Sequence, residues 1–66
     1  MNITDLSDNG LLMIHEAIKN ALHVDDAITQ GNKPYGAREY PDFLELSQEV
    51  ETVLTKRGIE FDPVNW

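Results

Sequence analysis

Histidine and carboxylate are the groups in this sequence that can ligate a metal or move a proton, and His15, Glu16, His23, Asp25 and Asp26 stand close together in its first half. His15 and Glu16 begin like the His-Glu-x-x-His motif of zinc proteases. That motif needs a second histidine where this chain has Lys19, so a protease of that type is excluded. His15 and His23 lie about 80° apart around a helix, too far round to clamp one ion from a single turn. His23 and Asp26, at i and i+3, can supply one nitrogen and one oxygen ligand. A two-fold axis would double them into a four-ligand site of the kind built inside bundles. The plainer reading makes His23 a solvated polar-face residue and His15 a residue at the rim of the core.

The second half offers Glu45 and Glu49 at i and i+4, with Glu51 on a neighbouring row. Paired carboxylates do acid and base chemistry only where a cleft separates their pKa values, and these fall on a face expected to be wet. No nucleophile, base and oxyanion donor converge. The four glycines stand singly at 10, 31, 36 and 58, so there is no dinucleotide or phosphate loop. The absence of cysteine excludes a disulfide framework and a thiolate metal site. The expectation is a protein that is not an enzyme and carries no cofactor.

A different chemistry is concentrated between Gly31 and Pro41, in the stretch GNKPYGAREYP. Lys33, Tyr35, Arg38 and Tyr40 combine cations and aromatic rings, the residue types enriched at binding hot spots. Phe61 and Trp66 add two rings from the end of the chain. These six are the candidate partner-binding residues. In the alternative, Tyr35 and Tyr40 close the open end of a hairpin while Arg38 pairs with nearby acids. Asp25 and Asp26 lie where a helix dipole disfavours acids, and Asp25 falls inside an apolar arc. Either the helix frays before Asp25 or its carboxylate meets a base, Lys33 or Arg38.

The elements that must position these residues are helical. Ser7 is a suitable N-cap with Asp8 in the first turn, and Thr4 offers a second start. From Leu11, the residues Leu11, Ile14, Ile18, Ala21 and Leu22 fall within about 100° of arc, and Met13, Ala17, Val24 and Ile28 widen it to about 180°. Gly31 reads as the C-cap glycine, giving a helix over about 7–30 and a connector over 31–41. Pro41 and Asp42 open a second helix over about 41–57, with Phe43, Leu46, Val50, Val53 and Leu54 in one stripe. Arg57, Gly58 and Ile59 form the expected Schellman stop. The tail over 58–66 is too short for a sheet, yet Ile59, Phe61, Val64 and Trp66 need cover, so it is expected to fold back over a helix or pack on a second subunit.

Sixty-six residues make a single small helical domain with a marginal core of its own. The fold expected is all-α: a two-helix antiparallel hairpin with an extended apolar C-terminal tail. The narrow stripe on the second helix covers only part of the wide arc on the first, so two hairpins are expected to pack as a homodimeric four-helix assembly. A net charge of −7 opposes direct nucleic-acid binding and suits solubility or a basic protein partner. The N-terminus has no basic region before an apolar run, and the longest apolar run is Leu11 to Ile14, so a soluble, cytoplasmic chain off the membrane is expected. The function expected is a small acidic protein-protein interaction module. The alternatives are an acidic nucleic-acid mimic that antagonises a DNA-binding protein, and a metal-binding helical bundle.

Overall fold

The computed structural model describes residues 2–66 of the chain. A single 3-10 turn, Ile3–Asp5, precedes two α-helices, α1 (Asp8–Ala27) and α2 (Pro41–Lys56), which pack on each other as a hairpin. No strand occurs among the described residues. Among the described residues no helix is long and apolar enough to cross a membrane.

Local chemistry accounts for most of the helix ends. Ser7 caps α1, its hydroxyl accepting from the Gly10 N–H at 3.1 Å, and Asp8 puts a negative charge in the first turn. The preceding turn is capped by Asn2, which accepts from the Thr4 N–H. Thr4 therefore lies inside a 3-10 turn and starts no longer helix. Pro41 occupies the first turn of α2 with Asp42 beside it. The far end of α2 closes as a Schellman motif: the Ile59 N–H reaches the Leu54 carbonyl at 3.0 Å and the Gly58 N–H reaches the Thr55 carbonyl at 3.1 Å. Gly58 adopts φ +72, the left-handed conformation that this motif requires and that glycine takes at least cost.

The end of α1 differs from the expected one. The helix stops at Ala27, with Ile28 as an extended C-cap, and Gly31 bends the connector at φ +87 without capping anything. The cause lies downstream. Lys33 Nζ turns back to donate to the main-chain carbonyls of Asp25 and Ile28, so the last carbonyls find their partner in a side chain and the chain is free to leave the helix axis.

Two clusters of buried side chains form a continuous core. Ile18, Ala21 and Leu22 of α1 meet Ala37 of the connector and Val64 of the tail, while Leu11 meets Val50 and Leu54 of α2. Ile14 and Leu46 touch both groups. The tail thus folds back over its own hairpin. Arg57 ties the start of the chain to the end of α2, donating to Asp8 Oδ1 at 2.8 Å and to the Thr4 carbonyl at 3.0 Å.

The two helices carry matching angular sectors. Setting Leu11 and Phe43 at zero and stepping 100° per residue, His15 on α1 and Ser47 and Glu51 on α2 fall at about 40–80°. All three receive the tail or lie against it. At about 280–300° lie Ala21 and Ile14 on α1 and Val53 and Leu46 on α2. In an antiparallel pair equal angles point to the same side, so the hairpin has two grooves. The tail fills one, and the other is met by Ala37 of the connector at Ala21 and by the N-terminal turn, whose Ile3 and Leu6 pack against the Leu11, Val50 and Leu54 cluster.

Candidate functional site

The connector and the end of the tail meet at one end of the hairpin, and Asp25 organises that meeting. Its carboxylate is buried, 2% exposed, and accepts from two main-chain donors, the Tyr35 N–H at 3.1 Å and the Ala37 N–H at 2.8 Å. Neither expected outcome for this residue occurs: α1 continues past Asp25, and the acid meets amides where a base was expected. Two charge-assisted bonds to a turn satisfy a buried carboxylate as well as one ion pair does, and they fix the turn's backbone in addition.

Asp26, one residue on, faces outward and takes Arg38 in a fork, Nε to Oδ1 and Nη2 to Oδ2, both at 3.0 Å. Arg38 Nη1 also donates to the main-chain oxygen of Trp66. One guanidinium therefore clasps α1, the connector and the tail. Asp26 was half of the candidate metal pair, and its carboxylate oxygens are both turned to Arg38. Among the described residues no group of three or more His, Cys, Asp or Glu side chains comes together in a way that could hold a metal ion.

The hydrogen bonds from Arg38 hold the Asp26 carboxyl below the usual carboxylate range, and Asp26 in turn pushes the guanidinium up. A carboxyl lowered on folding contributes stability above its unfolded value of about 4, and loses it as pH falls through the folded value. Carbon-detected NMR titration is expected to give Asp26 a midpoint below that of a free aspartate, returning toward the ordinary value in Arg38→Gln. Equal midpoints in the two proteins would show that the clasp does not form in solution.

The tail is held at two further places. Glu51 Oε2 accepts the Val64 N–H at 2.8 Å and lies 2.8 Å from His15 Nε2. The ring of His15 meets Phe61 edge to face, with centroids 5.2 Å apart. Trp66 Nε1–H donates to Ser47 Oγ at 3.1 Å, and the Ser47 hydroxyl donates onward to the Leu44 carbonyl. His15 is 3% exposed, so it is a core residue where a rim position was expected, and Glu51 is half-buried against it where a wet face was expected. Glu45 and Glu49 are exposed.

Of the six candidate partner-binding residues, Arg38, Tyr40 and Trp66 line a single depression together with Glu39, Pro41 and Leu44. Tyr40 is 58% exposed, and Trp66 and Leu44 are more than a third exposed. Tyr35 is half exposed, just before the buried Gly36 and Ala37. Lys33 and Phe61 point elsewhere: the first is spent on α1 carbonyls and the second is half-buried against His15. Leu44 and Ser47 were missed from the sequence. Leu44 lies about 100° from Phe43, off the apolar stripe of α2, which marks an exposed leucine at a helix start.

Gly36 shapes the depression. It has φ +62, and a Cβ there would stand 2.8 Å from Tyr40 Cε2, closer than side chains pack. Only glycine lets the Tyr40 ring lie against the turn. The arrangement defines a two-helix acidic scaffold whose connector and tail are locked together beside exposed aromatic rings. No known protein family matches the chain, and no curated protein or solved structure is similar to it.

Proposed function

We propose that this chain is a non-enzymatic protein-protein interaction module that meets its partner through the end of the hairpin where connector and tail join. The observation that carries this reading is that Tyr40, Leu44 and Trp66 lie exposed on one depression while Arg38 and the Trp66 indole N–H beside them are engaged within the chain. Exposed aromatic rings on a backbone fixed by Asp25 and Arg38 give contact area at little further entropic cost, the usual make-up of a hot spot. The test is capture of partners from the native cell by the wild type and by Tyr40→Ala and Leu44→Ala. Both variants are expected to keep their helicity and lose the captured protein. Retention of the same protein by both would remove the reading.

The module works as a homodimer, two hairpins joined in a four-helix assembly. Support comes from the apolar side chains that the hairpin leaves uncovered: Ile14 and Leu46 at the open groove and Val24 and Ile28 farther along the chain are only half-buried, and Met13 of α1 is 68% exposed. The radius of gyration, 12.6 Å, exceeds the roughly 11 Å of a compact chain of this length. A second copy laid on that groove would complete the missing layer. Sedimentation equilibrium would then report twice the 7.5 kDa chain mass. Val24→Glu is expected to return it to the monomer, and a monomer at all concentrations in the wild type would overturn the assembly. Such a module acts where a soluble acidic protein can reach its partner, which suits the cytoplasm.

A further inference from the structure

The depression at the connector has an electrostatic character that its composition conceals. Arg38 is the only cation in its lining, and that cation is spent, forked onto Asp26 and turned to the main-chain oxygen of Trp66. Glu39 lines the same depression, and it forms no ion pair among the described residues. Its carboxylate and the Tyr40 ring both approach Gly36. From a Cβ placed on Gly36, Tyr40 Cε2 stands at 2.8 Å and Glu39 Oε2 at 3.5 Å, so ring edge and carboxylate flank one point of the backbone. Asp42 follows in the first turn of α2. What remains free in the depression is two partly exposed aromatic rings, a leucine and the Glu39 carboxylate.

We propose that this shelf binds a basic segment of another protein through an arginine, whose guanidinium stacks on Tyr40 and Trp66 and pairs with Glu39. The inference rests on the interaction-module reading and names its partner. A planar guanidinium satisfies both requirements at once, stacking on a ring face while its edge donates to a carboxylate, whereas a lysine ammonium can only approach as a point charge. The net charge of −7 draws a basic partner in and speeds its encounter. A second copy of this chain is a poor occupant. Lys33, Arg38 and Arg57 are already engaged within the chain, which leaves Lys19 and Lys56 as the lysines and arginines without a hydrogen-bond or ion-pair partner among the described residues, and neither is an arginine.

Trp66 is the only tryptophan, so its emission reports on the shelf directly. The full chain is titrated with a blocked Gly-Arg-Gly-Arg-Gly peptide and with its lysine and glutamate counterparts. The arginine peptide is expected to change Trp66 emission saturably and to bind several-fold more tightly than the lysine peptide. Its affinity is expected to fall about tenfold in Glu39→Gln, a surface change that leaves the fold intact, and to weaken with salt. No response to the arginine peptide, or equal affinity in wild type and Glu39→Gln, would overturn the proposal. So would an emission change that follows the protein's own concentration and vanishes in Tyr40→Ala, since the occupant is then a second copy. If the peptide fails while Tyr40→Ala still abolishes capture of a native partner, the arginine assignment falls and the module reading stands.

Discussion

Replacing Asp25 with alanine is expected to lower the thermal midpoint by more than about 10 °C, the largest effect of any single polar substitution in this chain. Two bonds from carboxylate to main-chain N–H are lost, and one of the stranded donors belongs to Ala37, which is 1% exposed and has no route to water. A buried donor left without a partner, added to the lost charge-assisted bonds, costs roughly 3 kcal/mol. A domain of this size holds about 0.1 kcal/mol per residue in total, and each kcal/mol moves its midpoint by about 4–8 °C. The substitution therefore takes away a large part of what keeps the chain folded. Asp25→Asn keeps one oxygen acceptor and sets an amide N–H₂ against the other donor, so its midpoint is expected between the two. A shift of less than about 3 °C in the alanine variant would mean that Ala37 and Val64 packing, and not the carboxylate, holds the connector.

The parts of this architecture that were legible in the sequence are those decided within one turn of chain. Ser7 caps α1 and Pro41 opens α2 because each choice depends on dihedral preference and on a donor two or three residues away. Gly58 and Ile59 announced a Schellman motif for the same reason, and both of its bonds are present. Gly31 misled because a glycine after an apolar run is a sufficient local signal, whereas α1 ends where Lys33 returns to its carbonyls from outside the helix. Asp25 gave half a signal. A carboxylate at about 320° on an apolar arc must find donors, but which donors depends on how the connector folds.

His15 was legible in principle. At about 40° on the wheel it stands between the core residue Leu22 and the polar Asp26 and Lys19, on the sector that meets α2. What concealed it was its partner, Glu51, thirty-six positions away and on the edge of the α2 stripe. The aromatic depression was legible as a list and not as a place. Arg38, Tyr40 and Trp66 were singled out by type, yet only the folded tail, anchored through Ser47, brings Trp66 beside Tyr40.

The second large effect is expected at Glu51, because one oxygen of that side chain serves two elements at once. Glu51 Oε2 faces both the His15 ring nitrogen of α1 and the Val64 N–H of the tail. Glu51→Ala leaves the imidazole with no acceptor in a site only 3% exposed, and it removes the tail's anchor on α2 between Ile59 and Trp66. The cost is about 2–3 kcal/mol in stability, the price of an unpaired buried polar group. The more telling readout is local. Release of the tail uncovers Phe61 and Val64 and frees the indole of Trp66 from Ser47, so Trp66 emission is expected to shift to the red and proteolysis within residues 59–66 to accelerate at least tenfold. The hairpin itself, joined by Leu11, Val50 and Leu54, keeps its helical signal at low temperature. Glu51→Gln separates charge from geometry, since an amide oxygen in the same place still accepts from both donors and is expected to leave the tail seated with a loss of about 1 kcal/mol. If alanine and glutamine variants show the same protection of the tail, then apolar packing of Val64 against Ile18 and Leu22 suffices to hold it. In that case the aromatic depression does not depend on the polar bridge through α2.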